Sequence, residues 1–246
     1  MIQPQIIQSH DPGYHNSDLP KTTVRLIEGG SWKKQRVVVL IPAPVTISTK
    51  VALSHWGLAF PPNQAVHKML CTGMEVGHAY SSAIESILAH PELSQWEYLL
   101  TIEADNIPPG DGVVKLMKQM DAHPEFACIG GLYFCKGPEG GAHIWGDIRD
   151  PVVNYRPQAP RAGELVECYG TSMGFNLWRM SIFRDTRLHK PWFQTLDGSE
   201  GKGIGTQDLS AWNDFRKYGY RCAVDCSILV GHHDLEGKFG PADFCW

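Results

Sequence analysis

Two periodicities alternate along the middle of this chain, and they predict alternating strands and helices. Val37-Val38-Val39-Leu40-Ile41 is an unbroken aliphatic run stopped by Pro42-Ala43-Pro44, which reads as a strand buried on both faces, the kind a parallel sheet requires. His67 to Cys71 is a weaker strand closed by Gly73. Tyr80, Ala83, Ile84, Ile87 and Leu88 then fall on one helical face that ends near Pro91. Tyr98-Leu99-Leu100-Thr101-Ile102 is a second buried strand, running into Glu103-Ala104-Asp105-Asn106 and the turn Pro108-Pro109-Gly110. A helix with Val113, Leu116, Met117 and Met120 on its buried face follows, and Asp111 is placed to cap it.

Beyond the apolar stretch Ala127 to Phe134 the period is lost, because Pro138, Gly140, Gly141, Trp145 and Pro151 break any long element. Leu209, Trp212 and Phe215 restore a helix that Gly219 can end in the left-handed conformation, and Arg221 to Val230 reads as a last strand entering Gly231-His232-His233-Asp234. Strands alternating with helices in this order predict an open α/β sheet. Such sheets bind ligands beyond the carboxyl ends of their strands, where the acidic loop 103–106 would lie. Residues 1–35 are polar and turn-rich, with Asp11-Pro12-Gly13 and Gly29-Gly30, and are expected to form an N-terminal arm.

Composition narrows the picture. The 246 residues suit one large domain or two small ones, and 43% apolar with 20% charged residues is the balance of an ordinary globular protein. Lys+Arg 22 against Asp+Glu 26 leaves a net charge of -4 without a block of like charges, so direct nucleic-acid binding is not expected, nor is an anionic membrane as main partner. The longest apolar run is cut at Pro42, far short of the ~20 residues a membrane span needs. The start of the chain also lacks a signal-peptide core, so a cytoplasmic location is expected. Seven scattered cysteines predict free thiols; Cys222 and Cys226 with His232 and His233 form only a loose zinc pattern, and buried packing is the plainer reading.

Glu103 and Asp105, one residue apart at the end of a buried strand, form a bracket able to hold a hard divalent cation. The cation could then bridge phosphates and stabilise a diphosphate leaving group without a basic protein surface. The same acids would also suit a simple helix cap. Asp208, in Gly205-Thr206-Gln207-Asp208, opens a helix and reads either as an N-cap or as a general base. His232, leaving a strand, reads as a packed ring or as a metal ligand. The glycine-rich stretch 197–205 reads as a lid over a bound donor or as a surface connection, and it lacks the Walker pattern. Trp145, Trp178, Trp212 and Trp246 are expected mainly in the core, whereas Trp192, between Pro191 and Phe193, stands out as a sugar-contacting candidate.

Taken in order, these pieces resemble a known family. The strand ending in acid-x-Asp, Gly130-Gly131-Leu132-Tyr133-Phe134, the run Gly170 to Arg179, Pro191-Trp192-Phe193, Gln207-Asp208 before an aromatic helix, and Val224-Asp225 leading to Gly231-His232 look like the GT-A nucleotide-sugar glycosyltransferases. The similarity is to the family 2-like enzymes of phage and bacterial genomes, and it runs from about residue 36 to 235. It implies a GT-A type open mixed sheet flanked by helices. A Rossmann-like nucleotide-sugar-binding half would cover 36–130 and an acceptor-binding, catalytic half 131–235, leaving 236–246 as a C-terminal tail.

The resemblance implies a metal-dependent, inverting, hexosyltransferase-like activity on a UDP- or GDP-sugar, with Mn2+ or Mg2+ as cofactor and a glycan, lipid or other hydroxyl compound as acceptor. Asp105 matches the metal-binding last acid of the DXD-like motif, Glu103 its first acid near metal and donor, and His232 the C-terminal metal ligand. Asp208 matches the catalytic base. Pro42, Ala43 and Ala104 fall where the donor is cradled, and Tyr133, Trp192 and Gln207 on the acceptor side. Three departures stand out: Glu103 replaces the usual Asp, Gln207 replaces the usual Glu, and no Arg occurs around His78-Ala79-Tyr80. The alternatives are a catalytically inactive GT-A-like binding protein and a nucleotidyltransferase on a related scaffold; the latter is expected to carry an early basic Gly-rich signature, whereas residues 37–60 offer only Lys50.

Overall fold

The computed structural model describes residues 5–11, 35–61, 64–137, 140–197, 204–234 and 243–244. The aliphatic runs become the middle of a nine-stranded mixed sheet. In chain order the first elements are β1 (Gln5–Asp11), β2 (Val37–Ala43), helix α1 (Thr49–Trp56), β3 (Val66–Thr72) and α2 (Val76–Ala89). They are followed by β4 (Tyr98–Ile102), β5 (Asn106–Ile107), α3 (Gly112–Ala122) and β6 (Phe126–Leu132). The second half adds β7 (Ile144–Asp147), β8 (Leu165–Thr171), β9 (Phe175–Arg179), β10 (Leu196–Asp197) and β11 (Ile204–Gly205). It ends with α4 (Gln207–Lys217), β12 (Arg221–Leu229), β13 (Gly231–His233) and β14 (Asp243–Phe244).

The large sheet has the order β1-β3-β2-β4-β9-β6-β12-β8-β7. β2 runs parallel to β3 and β4, β9 lies antiparallel between β4 and β6, and β12 is parallel to β6. Consequently β2, β3, β4, β6 and β12 all point the same way, and their carboxyl ends share one edge.

Both faces of this sheet are covered, which is why its central strands are continuous apolar runs. Along β2 the period of two sends Val38 and Leu40 into one core, with Tyr80, Ala83, Ile84, Trp178, Trp212 and Phe215. Val37, Val39 and Ile41 enter the other, with Val113, Leu116, Met117, Met120 and Phe175. The helices α2 and α4 therefore lie on one face and α3 on the other. Trp178 on β9 and Trp212 on α4 stack with ring centroids 5.2 Å apart, tying α4 to the sheet.

Several local expectations need correction. Residues 5–11, expected within a loose arm, form an edge strand antiparallel to β3 along its whole length, and the Gln8 and His67 side chains meet at 2.9 Å. The stretch after residue 134, expected to be irregular, supplies β7, β8 and β9, which lie within or at the edge of the large sheet. Asp111 stands at the N-cap of α3 without capping it through its side chain; it pairs instead with Lys115 at 2.9 Å. Glu75 caps α2, accepting the His78 N–H at 2.9 Å. Gly219 adopts φ +83°, the left-handed conformation that releases the chain from α4 into β12.

Cys222 is buried in β12 opposite Cys168, with the sulfurs 3.8 Å apart and both thiols free. Among the described residues no group of three or more His, Cys, Asp or Glu side chains is arranged to hold a metal. Nor is any helix among them long and apolar enough to cross a membrane. The middle of the glycine-rich stretch, 198–203, and Trp246 lie outside the described residues.

Candidate active site

Three segments leave the shared edge of the sheet together: residues 103–105 after β4, 133–136 after β6, and 230–232 after β12. A second, three-stranded sheet of order β14-β13-β5 locks two of them in register. His232 is directly opposite Asn106, and the His233 N–H donates to the Asp105 carbonyl at 2.6 Å. The acid at one strand end and the imidazole at another are thus joined by main-chain pairing, not by side-chain chance.

Asp105 is the centre of this cluster. Its Oδ2 accepts from Lys136 Nζ at 2.5 Å, and His232 Nε2 lies 3.4 Å from the same oxygen. Burial works against the ionised carboxyl, but His232 and Lys136 outweigh it and hold Asp105 down at about 2. The other nitrogen of His232, Nδ1, is 2.6 Å from the Phe134 carbonyl. A carbonyl only accepts, so Nδ1 carries the proton and donates it, and Nε2 is the nitrogen turned toward Asp105.

Glu103 and Asp208 form the adjoining part of the site. Glu103 Oε1 lies 3.5 Å from the Tyr80 hydroxyl. Burial of its carboxyl, reinforced by the charges of Asp105 and Asp208, pushes Glu103 up to about 8. The same set acts on Tyr80, whose hydroxyl is pushed well up by burial and then by Glu103, Tyr133, Asp208 and Asp105. Asp208 is 6% exposed in the first turn of α4, where Thr206, not Asp208, occupies the N-cap position. Its N-cap reading is therefore replaced: the carboxylate lies within the helix, accepts the Leu209 N–H at 2.9 Å, and acts electrostatically on Glu103.

The remaining expected residues are placed as follows. Pro42 and Ala43 end β2 on the shared edge, paired with Cys71 and Thr72, and Ala104 is half-buried between the two acids. Gln207 opens α4 and packs close to Gly77 at the start of α2, where an added Cβ would come within 3.2 Å of it. Tyr133 is buried; its hydroxyl accepts the Gly174 N–H at 2.8 Å and its ring stacks on His143 at 4.2 Å. Trp192 is 3% exposed, edge-on to Phe183 at 5.8 Å, and borders a cavity of about 280 Å³ with His189, Gln194, Asn213 and Asp214. Tyr133 is thus held between Gly174 and His143, and Trp192 is a largely buried residue whose edge meets a surface hollow.

Four contributors were not expected from sequence: Lys136, Tyr80, His143 and Ser172. Ser172 Oγ accepts the Trp145 indole N–H at 2.6 Å and meets His143 Nδ1 at 2.6 Å, while His143 Nε2 is buried without a hydrogen-bond partner. Burial, then the neighbouring His232, drives His143 down to about 3, so its ring is neutral. Its stacking on Tyr133 and its edge contact with His232 at 5.8 Å give a structural reason for its place.

Gly174 holds these parts together. Its carbonyl accepts the Glu103 N–H at 3.1 Å, and a Cβ there would lie 2.5 Å from the Tyr133 ring and 2.6 Å from Asn106 Oδ1. Gly174→Ala is expected to destabilise the fold by about 1–3 kcal/mol, the usual cost of overpacking, read as a lower urea midpoint at unchanged slope.

No known protein family and no curated protein matches this sequence. Solved structures do match in fold. The crystal structure of A197 from STIV aligns with a TM-score of 0.58 at 13% identity, covering 81% of this chain and 86% of that one. The crystal structure of GalNAc-T7 with UDP, GalNAc and Mn2+ aligns with a TM-score of 0.55 at 12% identity, covering 84% of this chain. This chain has a GT-A-like fold. It spans 45% of the GalNAc-T7 chain it matches.

Asp105 and His232 form a donor pair whose chemistry fits a hard divalent cation. Asp105 supplies a carboxylate held ionised, and His232 supplies Nε2 with its ring fixed through Nδ1, the arrangement by which ligating imidazoles are oriented. One carboxylate and one imidazole leave positions for phosphate oxygens and water. Glu103, the other expected ligand, meets the Tyr80 hydroxyl at 3.5 Å, with burial favouring its neutral form.

Proposed function

We propose that this chain is a glycosyltransferase that moves a sugar from a UDP- or GDP-sugar to an acceptor hydroxyl on a glycan, lipid or other compound, with inversion at the anomeric carbon. The observation that carries the reading is that Asp105 and His232 meet at one strand edge of a GT-A-like fold, with Asp208 close enough to act on the neighbouring Glu103. GalNAc-T7, which shares the fold, was solved with UDP, GalNAc and Mn2+, and this supports the donor class.

Bound at Asp105 and His232, Mn2+ or Mg2+ would supply the positive charge that a departing diphosphate needs. The chain's own residues do the rest. Asp105 stays ionised at any pH near neutral, and His232 is kept in one orientation by the Phe134 carbonyl. Pro42, Ala43 and Ala104 offer main chain along the donor. An acceptor hydroxyl is a weak nucleophile, so Asp208 takes its proton as the oxygen bonds to the anomeric carbon and the bond to diphosphate breaks. Glu103, mainly neutral, relieves charge repulsion beside Asp208, and Gln207 adjoins the base on the acceptor side.

A thermal-shift panel of UDP and GDP with and without Mn2+ tests this reading. One nucleotide is expected to raise Tm only when Mn2+ is present; a ligand at 100 times its Kd adds ~2.7 kcal/mol. A donor screen following nucleotide release then identifies the sugar. No shift with either nucleotide would leave the inactive binding protein as the better reading.

A further inference from the structure

Among the described residues Lys136 is the one strong cation contact of Asp105, and it uses the oxygen that a bound cation would need. Its Nζ is 2.5 Å from Oδ2, and His232 Nε2 approaches that same oxygen at 3.4 Å. Both contacts are delivered by one segment: the Phe134 carbonyl fixes the His232 ring at 2.6 Å, and two residues later Lys136 ties down Asp105. The segment's backbone is itself braced, by Cys135 N–H to Gly141 O and His143 N–H to Tyr133 O, each at 2.9 Å.

We propose that Lys136 is a built-in competitor for the cation seat, so that a divalent ion reaches Asp105 only as the ammonium leaves. The inference rests on the metal assignment above and concerns how that seat is regulated. A dication on Oδ2, at the ~2.1 Å typical of Mg2+ to oxygen, would stand less than about 5 Å from the ammonium, and the two positive charges would repel. With its backbone braced, the lysine departs by rotating its flexible four-carbon stem, which needs no movement of Phe134 or of the His232 ring it holds. The freed ammonium lies beside the seat, within reach of an anionic donor oxygen. Metal without donor therefore has to displace a charge-assisted hydrogen bond, whereas metal with donor offers the lysine a new partner.

The test is Mn2+ binding to the full chain without nucleotide, followed by the electron paramagnetic resonance signal of the free ion. Lys136→Met is expected to bind Mn2+ about 10- to 100-fold more tightly than wild type, the scale of one charged hydrogen bond, and Lys136→Gln to follow it. Lys136→Arg, which keeps the charge, is expected to stay weak. Asp105→Asn added to Lys136→Met is expected to abolish the gain; a gain that survives it would place the ion elsewhere and overturn the proposal. Equal or weaker Mn2+ binding by folded Lys136→Met and Lys136→Gln, beside measurable binding by wild type, would overturn the competition alone. No Mn2+ binding by any of them at millimolar ion would overturn this inference, and no binding with UDP or GDP present either would overturn the metal assignment beneath it.

Discussion

Asp208→Asn is expected to lower turnover by about 10²- to 10⁴-fold while leaving nucleotide binding close to wild type. The substitution is nearly isosteric and Asn keeps an oxygen that can accept the Leu209 N–H, so α4 should retain its first turn. What it removes is a carboxylate able to take the acceptor's proton. Since the base acts only as the new bond forms, the loss belongs in kcat, with the Kd for UDP or GDP almost unmoved. The same variant removes a charge that helps push Glu103 up, so Glu103 should titrate closer to its ordinary value. Turnover equal to wild type would eliminate Asp208 as the base.

Glu103→Gln is expected to stabilise the protein at pH 8 and to be neutral near pH 4.5. In the fold Glu103 is raised from 4.5 to about 8, so between these values the folded protein holds a proton that the unfolded chain releases. Its favourable contribution is therefore complete below about 4.5 and is lost as pH rises toward 8. Gln cannot release that proton and avoids the loss. Because Glu103 is half-buried and solvent relieves part of the penalty, the gain at pH 8 is on the order of 1–2 kcal/mol, less than the full shift would imply. Denaturant melts of the two proteins at pH 4.5 and pH 8 read it directly. Lower stability of the variant at pH 8 would contradict a raised Glu103 carboxyl in the fold.

How far the sequence could be read follows from which interactions are local. The strands β2 and β4 are legible because burial on both faces leaves no polar position to interrupt them. The helices α2, α3 and α4 are legible because one face enters a core, as with Ala83, Ile84 and Ile87. By contrast α1 buries only Val51, so its hydrophobic pattern is faint in the sequence. β9 was hidden for a different reason: its core residues Phe175, Leu177 and Trp178 follow glycine and serine that look like a loop. β1 reads as polar because its side chains lie mostly exposed at the edge of the sheet.

At the site, Asp105 and His232 could be singled out because each ends a buried strand that the hydrophobic pattern locates. Lys136 could not, since a lysine in a glycine- and proline-rich loop looks solvated until the loop's neighbours are known. Nor could the difference between Glu103 and Asp105, two acids one residue apart with opposite titration: one carboxyl lies against Tyr80 and beside Asp208, the other against a lysine and an imidazole.

The order of residues alone determined that this is an α/β chain with buried parallel strands and acids at one strand end, because hydrophobic period and strand termini are written in neighbouring positions. Only the tertiary structure decided which charges share a pocket. That depends on five strands pointing the same way and on His232 standing opposite Asn106, a register set by pairing between segments far apart along the chain.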